Sequence, residues 1–136
     1  MGERENRIEL AENYLSKAKQ KIESAEILSN AGKTEDSISR SYYAVYLSAQ
    51  AALYLIGEDS KTHGGCLKLF GLKFVKTGDV EKKYAKIFAD LLNLRQQSDY
   101  SPFSWYDLED ALEQLKNSKE FVNRIEDLVN SLKTSM

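Results

Sequence analysis

SYYAVYLSAQAALYLIG, residues 41–57, contains no charged side chain. The run is shorter than the ~20 residues a helix needs to span a bilayer, and Ser, Gln and Tyr interrupt it. Set on a helix, it is apolar on nearly every side. Ile38, Tyr42, Val45, Ala49, Leu53 and Ile56 fall on one stripe, and Ala44, Leu47, Ala51 and Tyr54 on another. A helix apolar all round must be covered all round. The segment therefore predicts the central helix of a bundle, or one that also faces a second subunit. Thr34 is its expected N-cap, Glu35 and Asp36 suit the positive end of the helix dipole, and Gly57 ends it.

The flanking segments supply the cover. Residues 5–31 place Ile8, Leu15 and Ile22 in one seven-residue series and Ala11, Ala18 and Ala25 in the other, on a helix otherwise rich in Lys and Glu. That narrow stripe predicts an outer helix. A turn over Glu58–Thr62 leads to a short helix over about Gly64–Lys76, with Leu67, Phe70 and Phe74 as its apolar contacts and three glycines weakening it. Asp79 is the expected cap of a fourth helix reaching Asp99, with Val80, Tyr84, Ile87, Leu91 and Leu94 on its main stripe and Phe88, Leu92 and Arg95 on the adjacent one. Pro102 breaks the chain between Tyr100 and Trp105. Ser104 and Asp107 then read as a capping box for a last helix to about Lys133. On that helix Leu108, Leu115, Val122 and Val129 form one series, and Ala111, Ile125 and Leu132 the other.

The fold class expected is all-α, a four-helix up-and-down bundle with an additional short helix between the second and third long helices, in one domain over residues 1–136. No segment alternates as a strand would. If the short helix lies across the bundle end, the start of the second helix and the end of the fourth share an end, and Arg40 lies near Arg95. If it is a full bundle member, they lie at opposite ends.

Charge and cysteine content narrow the function classes. The net charge of −2 gives no overall basic footprint for nucleic acid. The single Cys66 cannot form an internal disulfide, which fits a reducing cytoplasm, and Met1–Glu9 has no apolar core for a signal peptide. No membrane association and no cofactor are expected. His63 is the lone histidine, without a Cys or acid cluster, so no metal site is expected. By itself it reads as a capping or surface residue. Arg40 stands at the edge of the charge-free run. Arg95 lies on an inward stripe with Asp99 at i+4 on the same face. Each reads as an ion-paired structural residue or as a phosphate contact, since the guanidinium fork matches phosphate oxygens. Phe103, Trp105 and Tyr106 read as packing between helices.

Three blocks carry a resemblance. Ser39-Arg40-Ser41-Tyr42-Tyr43-Ala44-Val45-Tyr46 resembles the S-R-x-Y-Y-A-x-[FY] signature of HEPN (higher eukaryotes and prokaryotes nucleotide-binding) domains. Lys61-Thr62-His63-Gly64-Gly65, Leu69-Phe70-Gly71 and Phe74-Val75-Lys76-Thr77-Gly78 resemble the next block of a small single-domain subfamily associated with minimal nucleotidyltransferases. Leu94-Arg95-Gln96-Gln97-Ser98-Asp99-Tyr100 resembles its L-R-x-x-x-D-Y block. The resemblance implies the bundle-end position for the short helix and a homodimer with a cleft between subunits. It also implies a nucleotidyltransferase partner in a toxin–antitoxin-like pair. Several members are metal-independent endoribonucleases whose Arg binds phosphate and whose His, a few residues on, handles protons. Here Tyr100 stands in that place, and Leu47 stands seven residues after Arg40, where similar sequences often carry His. A tyrosine of ordinary pKa near ~10 is a poor base at neutral pH.

The reading is thus a nucleotide- or RNA-phosphate-binding module, leaning away from enzyme, with Arg40, Tyr43, Arg95, Asp99 and Tyr100 as ligand-binding residues. An alternative is a ribonuclease with a non-standard proton donor, its catalytic candidates Arg95, Tyr100 and His63. A second alternative is a ligand-free helical scaffold for oligomerisation.

Overall fold

The structure, a computed structural model, describes residues 2–100 and 106–136; the side chains of Asp99 and Tyr100 fall outside that description. Among the described residues five α-helices and no strand occur. They are α1 (Glu3–Asn30), α2 (Thr34–Leu55), α3 (His63–Phe70), α4 (Lys82–Tyr100) and α5 (Leu108–Thr134).

The helix that carries the charge-free run takes the central place its composition predicts. α2 packs against α1, α3, α4 and α5. Its contact with α1 is close because both faces are lined by small residues. Ala11, Ala18 and Ala25 are fully buried on α1, as are Ser37, Ser41, Ala44 and Ser48 on α2. Ser37 satisfies its buried hydroxyl by donating to the Ala25 carbonyl at 2.8 Å. The outer faces of α1 and α5 are joined by exposed ion pairs, Lys19–Glu126, Lys119–Glu26 and Lys133–Glu12. Solvated pairs of this kind contribute little each. Burial of apolar area holds the bundle.

A second packing centre ties α3 to the bundle. The Phe70 ring meets Phe74, Phe88 and Phe121 at centroid separations of 6.0, 6.1 and 5.4 Å. All four rings are at most 2% exposed. Phe121 and Leu128 on α5 lie outside the two heptad series read from the sequence, yet both are buried. α5 therefore buries a wider stripe than an outer helix needs, and Leu108, read as core, is exposed.

Several helix ends differ from expectation. α2 is capped at Lys33 without a side-chain hydrogen bond, and Thr34 is already its first helical residue. The short helix is two pieces: α3 passes into a π-helical turn over Gly71–Val75, where Lys76 N donates to Gly71 O, five residues back, at 2.8 Å. Glycine weakens the regular helix at that point. Asp79 caps no helix; it accepts from Thr77 Oγ1 at 2.8 Å, and α4 begins at Lys82. Ser104, Pro102, Phe103 and Trp105 lie outside the described residues. The cap of α5 is Asp107 itself, reciprocated by Asp110: Asp110 N donates to Asp107 at 2.9 Å and Asp107 N to Asp110 at 3.0 Å. An acid at N3 that returns the bond satisfies two otherwise free helix donors, so the box sits one turn later than Ser104. Asp107→Ala should lower stability by about 1 kcal/mol. Thermal unfolding would read this as a fall in Tm of roughly 3–5 °C.

Candidate functional site

Tyr42, Tyr43 and Tyr46 lie at neighbouring positions on two turns of α2. Spacings of three and four residues put Tyr46 beside both of the others on the helix surface. Tyr42 points inward and is fully buried; Tyr43 and Tyr46 are half-buried. α4 brings Arg95 to this group. Its Nη2 donates to the Tyr43 hydroxyl at 3.0 Å, and its guanidinium carbon lies 5.2 Å from the Tyr43 ring centre and 5.5 Å from that of Tyr42. A guanidinium over two tyrosine faces gains cation–π attraction, about 0.5–2 kcal/mol per ring. Its charge is thus held in place rather than left to wander in solvent.

α3 brings His63 to the same tyrosines. The Tyr42 hydroxyl and His63 Nδ1 are 2.5 Å apart. The imidazole stacks on Tyr46 with centroids 4.3 Å apart and meets the Tyr43 ring edge-on at 6.0 Å. Gln50, 7% exposed, steadies Tyr46 by donating to its hydroxyl at 2.9 Å. Local chemistry fixes where α3 starts. Thr62 Oγ1 accepts from Gly65 N at 2.9 Å and caps the helix. A Cβ on Gly65 would stand 2.6 Å from that same Oγ1 and closer still to the Ser60 hydroxyl. Gly65 therefore serves a close approach at the helix start, where Thr62 caps α3 and His63 is its first residue.

Electrostatics of the cluster follow from burial and from Arg95. Burial, with the Arg95 charge second, holds the His63 pKa below the ordinary imidazole value, so the ring is neutral at pH 7. Burial, with Cys66 next, raises the Tyr42 hydroxyl well above the usual phenol range, and Tyr46 shifts the same way for the same leading reason. Both phenols stay protonated at neutral pH. Cys66 is buried beneath them, its thiol pushed up to about 12, so it is no nucleophile.

The site residues expected from sequence divide clearly. Arg95 and Tyr43 are joined directly. His63, read as a capping or surface residue, meets the tyrosines that hold Arg95 within one chain. Arg95 reaches Tyr43, one turn along α2 from Arg40, so the end of α4 lies beside the first half of α2. Arg40 itself is exposed and makes no hydrogen bond or ion pair among the described residues. The side chains of Asp99 and Tyr100 lie outside the described residues. Tyr42 and Gln50 were missed as site residues. Tyr42 sits on a core stripe, and a buried tyrosine needs a partner for its hydroxyl, which was the available signal. Among the described residues no group of three or more His, Cys, Asp or Glu could hold a metal ion. None of the described helices is long and apolar enough to cross a membrane.

The comparisons with known proteins give the family and the fold. The HEPN domain family matches residues 11–128, and the chain belongs to that family. A protein of Methanocaldococcus jannaschii named "putative toxin" is 36% identical over 118 residues, covering 87% of this chain and 82% of that one. A UPF0332 protein of Archaeoglobus fulgidus is 32% identical over 96% of this chain and 98% of its own length. A UPF0332 protein of Pyrococcus horikoshii is 41% identical over 78 residues, and the chain spans only 55% of that relative. Among solved structures, TT1696 from Thermus thermophilus superimposes with a TM-score of 0.74 over 86% of this chain and 96% of that one, at 15% identity; the likeness is one of fold.

Proposed function

We propose that this chain binds a phosphate of a nucleotide or RNA at Arg95, as the helical component of a toxin–antitoxin-like pair with a minimal nucleotidyltransferase. The observation that carries the reading is the guanidinium held against the faces of Tyr42 and Tyr43. An arginine placed this way has its orientation already fixed, so less entropy is lost when it meets an anion. The "putative toxin" name of the Methanocaldococcus relative supports the two-component part. The module works as a homodimer with a cleft between its subunits. Calorimetric titration with AMP, with a short single-stranded RNA and with a minimal nucleotidyltransferase from the same organism tests the reading. Heat of binding for at least one of them is the expected result; none for any of them overturns it.

A specific observation favours a second reading, metal-independent RNA cleavage. His63 stands against the same tyrosines as Arg95, so an imidazole and a guanidinium share one site. RNA cleavage in the presence of a chelator, present in the wild type and lost in Arg95→Ala, would establish it. No cleavage by either would remove it.

A further inference from the structure

We infer that Tyr42 is a positioning residue: its hydroxyl donates to His63 Nδ1, fixes the imidazole as the Nε2–H tautomer, and so makes His63 a second donor beside Arg95 for the phosphate oxygens of a nucleotide or RNA. The donor role rests on the phosphate-binding reading above; the tautomer does not.

The direction of the Tyr42–His63 bond follows from what each group can do. Tyr42 is fully buried, and His63 Nδ1 is its hydroxyl's hydrogen-bond partner. A buried hydroxyl proton left without an acceptor costs about 1–3 kcal/mol. Were Nδ1 protonated, two hydrogens would face each other or the Tyr42 proton would point into the aromatic core beside Phe88. Burial also keeps Tyr42 protonated. A protonated phenol donates, so Nδ1 must accept, and a neutral imidazole that accepts at Nδ1 carries its hydrogen on Nε2. The other groups around the ring reinforce neutrality. Arg95 repels a second positive charge, while Tyr43 and Tyr46 present ring surfaces to it.

Nε2 lies on the ring edge away from Nδ1, and therefore away from buried Tyr42. His63 is partly exposed, and its Nε2 has no hydrogen-bond partner among the described residues. The arrangement offers one neutral N–H donor and one permanently charged guanidinium against the same pair of rings. An acceptor-only, anionic group such as a phosphate satisfies both. The same geometry limits chemistry: in this tautomer Nε2 cannot accept a proton from a ribose hydroxyl. If RNA is cleaved here, His63 serves as hydrogen-bond donor and the base lies elsewhere.

The chain has one histidine, so long-range proton–nitrogen NMR of the labelled full-length protein reads a single imidazole. Near pH 8, about 1.5 units above an ordinary imidazole, the wild type should show an unprotonated, hydrogen-bonded Nδ1 and a protonated Nε2. Tyr42→Phe keeps the ring and the core; it should move the Nδ1 resonance and raise the imidazole pKa by about 0.5–1 unit, because the bond removed favours the neutral form. A proton on Nδ1 in the wild type, or an Nδ1 resonance and pKa unchanged by Tyr42→Phe, would overturn the assignment. AMP or inorganic phosphate should then shift Nε2–H. Calorimetric binding that leaves Nε2–H unmoved removes the donor role and leaves the phosphate reading standing. Absence of any binding removes both, while the tautomer result stands or falls separately.

Discussion

Arg95→Met is expected to weaken AMP binding by roughly 10- to 100-fold, the cost of one charged hydrogen-bonding group of about 1.5–3 kcal/mol. Met keeps an unbranched chain of similar reach over Tyr42 and Tyr43 and removes the charge, so the packing loss is small. The bond to Tyr43 is lost with it. The same variant carries a second signal. Arg95 is one of the two causes that hold the His63 pKa down, burial being the larger. Removing it should raise that pKa toward the ordinary ~6.5. A native pKa below the unfolded one means that the unfolded chain binds the proton more readily. Stability from this group is therefore present above ~6.5 and is lost as pH falls through the native value. The wild type should lose this contribution between those limits, and Arg95→Met should lose less of it because the interval narrows. An NMR titration of the lone imidazole measures both ends. A pKa that does not rise in Arg95→Met would show that the guanidinium and the ring do not share one site.

Phe70→Ala should cost about 3–5 kcal/mol, the range for removing a buried aromatic ring. Phe70 joins α3 to both α4 and α5: it meets Phe88 and Phe121, packs on Phe74 of the adjoining π-helical turn, and is fully buried. The variant should also loosen the start of α3 and with it the seat of His63, so the imidazole pKa should move toward its ordinary value in the fraction that remains folded. Leu72→Ala, two residues on at a side chain 47% exposed, should stay within about 0.5 kcal/mol of wild type. Denaturant unfolding of the two variants separates the cases. Similar midpoints for both would mean that the aromatic cluster does not anchor α3.

Periodicity and composition were enough to read the bundle itself. The charge-free run of α2 from Ser41 on, the Ala series on α1 and the heptad series on α5 each specify which face must be covered, because burial of apolar area is set by spacing along a helix. Helix ends were less legible. Asp107, Ser104 and Thr34 all satisfy capping chemistry in one dimension, and only the backbone around them decides which oxygen meets a free N–H. The family blocks were legible as well, and they led to Arg95 and Tyr43.

What the sequence could not determine was the meeting of Arg95, Tyr42 and His63, which lie on three different helices. Each has an ordinary single-residue explanation: an i,i+4 ion pair for Arg95, a core ring for Tyr42, a helix start for His63. Only the docking of α3 through Phe70, and of α4 against the first half of α2, sets a guanidinium and an imidazole around the same two tyrosine rings. The tautomer of His63 and the depression of its pKa then follow from burial and from a neighbouring charge, quantities that depend on distances through space and not on positions along the chain.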